Sequence, residues 1–173
     1  MIDLQLRLAR MNDLQEIMAI FNAAIAYIGK QGSPQWQNGY GPQVEQIKQD
    51  INKQQLYVFV DELEKILAVA ALVEGIDPVY TAIDGTWQGN EAYISIHRVA
   101  VSAETMGKGI AKLFLKHLVE QCQQLDYQDI RIDTHELNIG MQKVILANGF
   151  QYRGQVVFPI PFGERLAYQL YLG

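Results

Sequence analysis

Apolar and polar residues alternate at the start of the chain, with Leu4, Leu6 and Leu8 on one face of residues 4–8. A period of two is the pattern of a half-buried strand. Asn12 or Asp13 then offers a helix cap. Leu14, Ile17, Met18, Phe21, Ile25 and Ile28 follow at steps of three and four, which predicts an amphipathic helix. Val44, Ile47 and Ile51 predict a second, shorter helix. Residues 56–60 and 66–73 are β-rich runs split by polar 61–65, a hairpin pattern. Residues 93–101 predict a strand, and 107–125 a helix with Ile110, Leu113, Phe114, Leu118 and Leu125 inward. A short strand over 130–134 precedes a helix over 138–147, which stops at Asn148-Gly149. Residues 152–158 and 166–172 close the chain as strands. The order β-α-α-β-β-β-α-β-α-β-β predicts an α/β (mixed α+β) fold: a central twisted mixed sheet of about seven strands with helices on both faces.

Composition narrows the class. A chain of 173 residues fits one domain over 1–173, since domains usually take roughly 100–200 residues. Fourteen basic and nineteen acidic side chains give a net charge of −5, which repels phosphate backbones and argues against nucleic acid. The only cysteine, Cys122, allows no disulfide within the chain and no thiolate metal cluster, and no metal is expected. Residues 1–7 lack the basic start and long apolar run of a signal peptide. No run reaches the ~20 apolar residues that span a bilayer. A cytoplasmic location without a membrane partner is therefore expected, and a homodimer is left open.

The chemistry concentrates where Val99-Ala100-Val101 leads into Met106-Gly107-Lys108-Gly109-Ile110-Ala111. An apolar strand runs through a glycine-spaced turn into a helix. The first turn of a helix carries free N–H groups and partial positive charge, and glycines let an anion approach the backbone. Lys108 adds a mobile charge. A dinucleotide-binding fold would place such a turn after the first strand. A Walker loop would follow Lys108 with Ser or Thr rather than Gly109. A plain glycine-rich corner is the bland alternative.

This turn, followed by a strand and by Asn138 opening a helix that ends in Gly149-Phe150, resembles the GNAT N-acetyltransferase superfamily. The family's turn reads Arg/Gln-x-x-Gly-x-Gly/Ala; here it stands as Met106-Gly107-Lys108-Gly109-Ile110-Ala111, whose last half fits while Met106 departs from it. The family's second block, Asn-x-x-Ala-x-x-Leu-Tyr-x-Lys-x-Gly-Phe, matches at Asn138, Gly149 and Phe150, and Ile145 stands at the tyrosine. His97–Val101, Arg131–His135 and Arg165–Tyr168 resemble a bacterial subgroup of that family. The resemblance implies acetyl-CoA as cosubstrate and direct attack by a primary amine, of a small molecule, in a ternary complex. It places Asn138 on the pantetheine arm, and Ile145 leaves the usual general acid unfilled. The alternative is a non-catalytic sensor of CoA or acyl-CoA.

Acetyl transfer needs a base for the ammonium proton. His135, just past the strand over 130–134, is the first candidate; His97, inside its own strand, reads more readily as a buried structural histidine. Tyr168 is a candidate acid. Arg131 and Asp133 share a strand face and read as a structural ion pair with neighbours such as Arg98, or as an orienter of His135. The long connections over 29–42 and 77–90 carry Trp36, Tyr40, Tyr80 and Trp87, candidate walls of an acceptor pocket or core anchors.

Overall fold

The computed structural model describes residues 3–173. Its strands are β1 (Gln5–Leu8), β2 (Leu56–Val60), β3 (Ile66–Glu74), β4 (Asp84–Gly85), β5 (Tyr93–Val101), β6 (Asp129–Thr134), β7 (Gln151–Val157) and β8 (Glu164–Tyr171). They form one eight-stranded sheet in the order β1-β2-β3-β5-β6-β8-β7-β4. Only the central pair, β5 and β6, runs parallel; the other pairings are antiparallel. The helices are α1 (Leu14–Lys30), α2 (Val44–Asn52), α3 (Pro78–Thr81), α4 (Ile110–Gln124) and α5 (Ile139–Ala147). None of the described helices is long and apolar enough to cross a membrane.

Alternation along β2 explains the layering. Tyr57 and Phe59 point into a core with Phe114, Leu118 and Ile145 of α4 and α5. Leu56, Val58 and Val60 point into a second core with Ile17, Phe21, Ile47 and Ile51 of α1 and α2. Successive residues of a strand face opposite sides, so a strand apolar throughout is one covered on both faces.

Two features of β5 set up the site. Its pairing with β6 ends at Ile96 opposite Ile132, although β5 continues to Val101. The two strands therefore part beyond Ile96, and the β6-facing backbone of 97–101 lacks a strand partner. On the other edge, His97 pairs with Ala71 and Ala100 with Val69, so two residues of β5 oppose Ala70 alone. This bulge places Arg98 at φ 55, a left-handed conformation unfavourable for a side chain of that size. The Arg98 guanidinium holds Asp50 of α2 bidentately at 2.6 and 2.9 Å, which ties the bulge to the helix layer.

The element order departs from expectation in the connection over 77–90. There α3 and the two-residue β4 form, raising the strand count from about seven to eight. Helix α4 begins at Ile110 rather than 107, because Gly107 and Gly109 stand at φ 77 and 76, outside helical space. Its inner face is Ile110, Phe114, Leu115, Leu118 and Cys122; Leu113 faces outward and Leu125 is the C-cap.

Candidate active site

The parting of β5 and β6 opens two adjoining cavities. The larger, about 700 Å³, lies along the turn between β5 and α4 and the first turns of α5. Val99, Ala100, Val101, Met106, Gly107, Gly109, Ile110, Ala111 and Asn138 all line it, whereas Lys108 does not. At Gly107 and Gly109 an added Cβ would meet nothing within 4 Å, so both positions open onto free space in a conformation that disfavours side chains. The first intrahelical bond of α4 runs from Leu113 N–H to the Gly109 carbonyl at 3.2 Å. The N–H groups before it have no acceptor inside the helix and sit at its positive end. Asn138 caps α5, its Oδ1 accepting from Met141 N–H at 3.2 Å. Its side-chain amide nitrogen has no protein partner among the described residues.

The smaller cavity, about 200 Å³, lies beside it. Val99, Asn138, Met141 and Ile28 belong to both linings, so the two spaces adjoin where β5 leaves β6. Trp36, Tyr40, Phe158 and Ile160 give it apolar walls, and His97, Asp133, Thr134, Gln35 and Arg165 supply polar groups.

His97 is the first residue of β5 past the last pair with β6. Its Nε2 lies 3.1 Å from Asp77 Oδ2 and its Nδ1 3.9 Å from Asp133 Oδ2. The two carboxyls differ. Burial raises the Asp77 pKa, but the hydrogen bond and charge of His97 outweigh it and hold the carboxyl below its ordinary value. Burial dominates at Asp133 and raises its pKa from the ordinary value, against His97 and the Tyr80 hydroxyl, which donates at 2.6 Å. An ionised Asp77 only accepts, so the proton of a neutral His97 sits on Nε2 and Nδ1 carries the lone pair.

Residues 23–150 match the Acetyltransferase (GNAT) family. The chain belongs to the GNAT acetyltransferase family. A GNAT-family acetyltransferase structure from Streptococcus agalactiae 2603 shares 36% identity, covers 97% of this chain and 95% of its own, and superposes with a TM-score of 0.88. A GNAT-family acetyltransferase from Listeria monocytogenes 4b F2365 has the same fold at 21% identity and TM-score 0.76, covering 98% and 95%. So does yncA of Salmonella typhimurium, proposed as an acetyltransferase and solved with acetyl-CoA, at 16% identity and TM-score 0.68, covering 98% and 94%. No curated protein matches the chain.

Within this GNAT fold the other candidate residues fall in different places. His135 is buried, with Nδ1 accepting from Leu137 N–H at 3.1 Å and its carbonyl accepting from Asn138 N–H at 2.9 Å. It lines neither cavity and braces the turn that presents Asn138. Tyr168 packs into the main core, edge-on to Tyr152 at 5.8 Å, and likewise lines neither cavity. Trp36 and Tyr40 wall the smaller cavity. Tyr80 is fully buried behind Asp133. Trp87 donates to the Tyr80 carbonyl at 2.9 Å and covers the Arg131 guanidinium at 4.2 Å. Arg131 pairs with Asp129 at 2.9 Å, so the ion pair expected between Arg131, Asp133 and Arg98 is redistributed over three partnerships. Sequence reasoning missed Gln35, Asp77 and Phe158, which no local motif marks, and Arg165, which stands in the Arg165–Tyr168 segment but was given no role in the site. It also missed Met141 and Val144, which the helical spacing after Asn138 would have found.

Proposed function

We propose that the chain, acting as a single domain, moves an acetyl group from acetyl-CoA to a primary amine of a small molecule held in the 200 Å³ cavity. The observation that carries this is that the two cavities adjoin at the β5–β6 fork and share Ile28, Val99, Asn138 and Met141 as walls. The residues present fit the carrier. Open glycines and the free N–H groups of α4 suit its diphosphate, and the unpaired amide nitrogen of Asn138 suits a carbonyl of the pantetheine arm. When bound, acetyl-CoA would supply a thioester carbonyl at which the C–N bond would form as the C–S bond breaks, the thiolate leaving as the thiol with the second proton lost by the attacking nitrogen.

The chain's own groups orient the acceptor and take its proton. A cavity of about 200 Å³ suits a small amine rather than a folded partner. His97 Nδ1 takes the proton that the ammonium must lose, and the ionised Asp77 on Nε2 stabilises the imidazolium that results. This supports His97 rather than His135 as the base. The unpaired backbone of β5 beyond Ile96 borders the same fork and offers donors to the acyl oxygen. Direct transfer is supported by Cys122: burial pushes its thiol up to about 12, which makes the only cysteine a poor acyl-carrying nucleophile.

The test is incubation with acetyl-CoA and a panel of small primary amines, followed by mass analysis. A product heavier by one acetyl group is expected. CoA binding without any acetylated product across the panel would leave the protein a CoA-binding sensor.

A further inference from the structure

Among the described residues, two buried side-chain oxygens from the lining of the smaller cavity have no hydrogen-bond partner, and an arginine there has no carboxylate within ion-pair distance. Arg165 is 5% exposed, yet its guanidinium forms no ion pair with any carboxylate among the described residues. Only one of its nitrogens, Nη1, is engaged, donating to the carbonyls of Phe162 at 2.7 Å and Glu164 at 2.8 Å. Nε and Nη2 are left in a residue that lines the cavity. Thr134 and Gln35 belong to the same lining, and their buried Oγ1 and Oε1 make no hydrogen bond among the described residues. Buried charges are normally paired and buried polar atoms bonded, so a cavity that collects such orphans is shaped for a ligand that completes them.

His97 and Asp133 line the cavity, and Asp77, which does not, backs the His97 imidazole at 3.1 Å, an arrangement that suits an amine giving its proton to His97. Arg165 is the unpaired cation, and its remaining N–H fork matches a carboxylate. We infer that the acceptor is a small amino acid, an amine that also carries a carboxylate, with Arg165 as the carboxylate's counterion and Gln35 and Thr134 as further hydrogen-bonding partners. This rests on the acetyl-transfer reading and names its substrate class. Trp36, Tyr40 and Phe158 leave an apolar wall for the acceptor's side chain.

The experiment compares L-leucine, L-methionine, L-phenylalanine and L-glutamine with their carboxamides. Thiol release from acetyl-CoA reads transfer, and calorimetric titration into CoA-loaded protein reads recognition. The free acids should exceed the amides by about 10²-fold in kcat/KM or affinity. Arg165→Gln should erase that preference by lowering the acids and leaving the amides within a few-fold; Arg165→Lys, which keeps the charge without the fork, should retain part of it. The acid-to-amide comparison on the unaltered protein stands even if a variant folds poorly. Equal use of acids and amides, or a proportionate loss of both in Arg165→Gln, overturns the inference while leaving acetyl transfer intact. Binding of the acids that depends on Arg165, without thiol release, upholds the inference and removes the transfer reading. Silence of the whole panel in both readouts overturns it.

Discussion

His97 sits between two carboxyls that burial and charge drive apart, Asp77 held ionised and Asp133 pushed towards its neutral form. That contrast separates it from His135, whose Nδ1 is spent on a backbone N–H. His97→Gln should lower turnover by about 10²-fold or more, the usual scale for a lost general base, while CoA affinity stays within a few-fold. Steady-state kinetics beside a CoA titration checks this, and a proportionate loss in both would assign His97 a structural role. His135→Gln should leave turnover within a few-fold and act on stability instead. Burial, and then the Arg165 charge, hold the His135 pKa below its ordinary 6.5. Between the folded value and 6.5 the unfolded chain binds more protons, so this residue makes stability fall as pH drops through and below 6.5. Urea midpoints taken from pH 8 to pH 5 should show that slope, and His135→Gln should flatten it. A slope unchanged by the substitution would place the titration elsewhere. Gly109→Asp sets a carboxylate and a strained left-handed residue in the carrier cleft, and should abolish CoA binding in a calorimetric titration.

The bulge of β5 is the element that turns a sheet into a fork. Arg98 stands there at φ 55 and is fixed by Asp50, whose Oδ1 also accepts from Gln55 Nε2 at 2.7 Å. Asp50→Ala leaves that guanidinium without its partner. It should cost about 3 kcal/mol, the low end for breaking a buried pair because Arg98 keeps part of its surface in water. CoA affinity should fall as well, since Val99 follows Arg98 into both cavities; denaturant unfolding and titration on one preparation read the two effects together. The strands and main helices were legible because each follows its own period: β5 spans 93–101 as the apolar run predicted, and Asn138 caps α5 as its side-chain chemistry predicted. The bulge was not, because arginine carries no preference for a positive φ, and both the register with β3 and the Asp50 contact come from segments distant in the chain. Nor was β4, two residues whose pairing with β7 depends on a strand that comes much later in the chain.

At the scale of the whole molecule, the two cavities differ in how they are encoded. The carrier cleft is built around one strand-turn-helix segment and one helix start, so a local motif announces it. The acceptor cavity gathers Gln35, Trp36, His97, Asp133, Phe158 and Arg165 from segments spread along the chain, none of which announces a cavity by itself. Only folding brings them together, which is why the sequence pointed to His135 beside the motif rather than to His97 inside the fork. The most direct test is the initial rate of thiol release from acetyl-CoA, with and without a small primary amine, in the unaltered chain and in Gly109→Asp. Amine-dependent release in the former and none in the latter is the expected result. Saturable CoA binding in the unaltered chain, with release that no amine accelerates, would contradict the account.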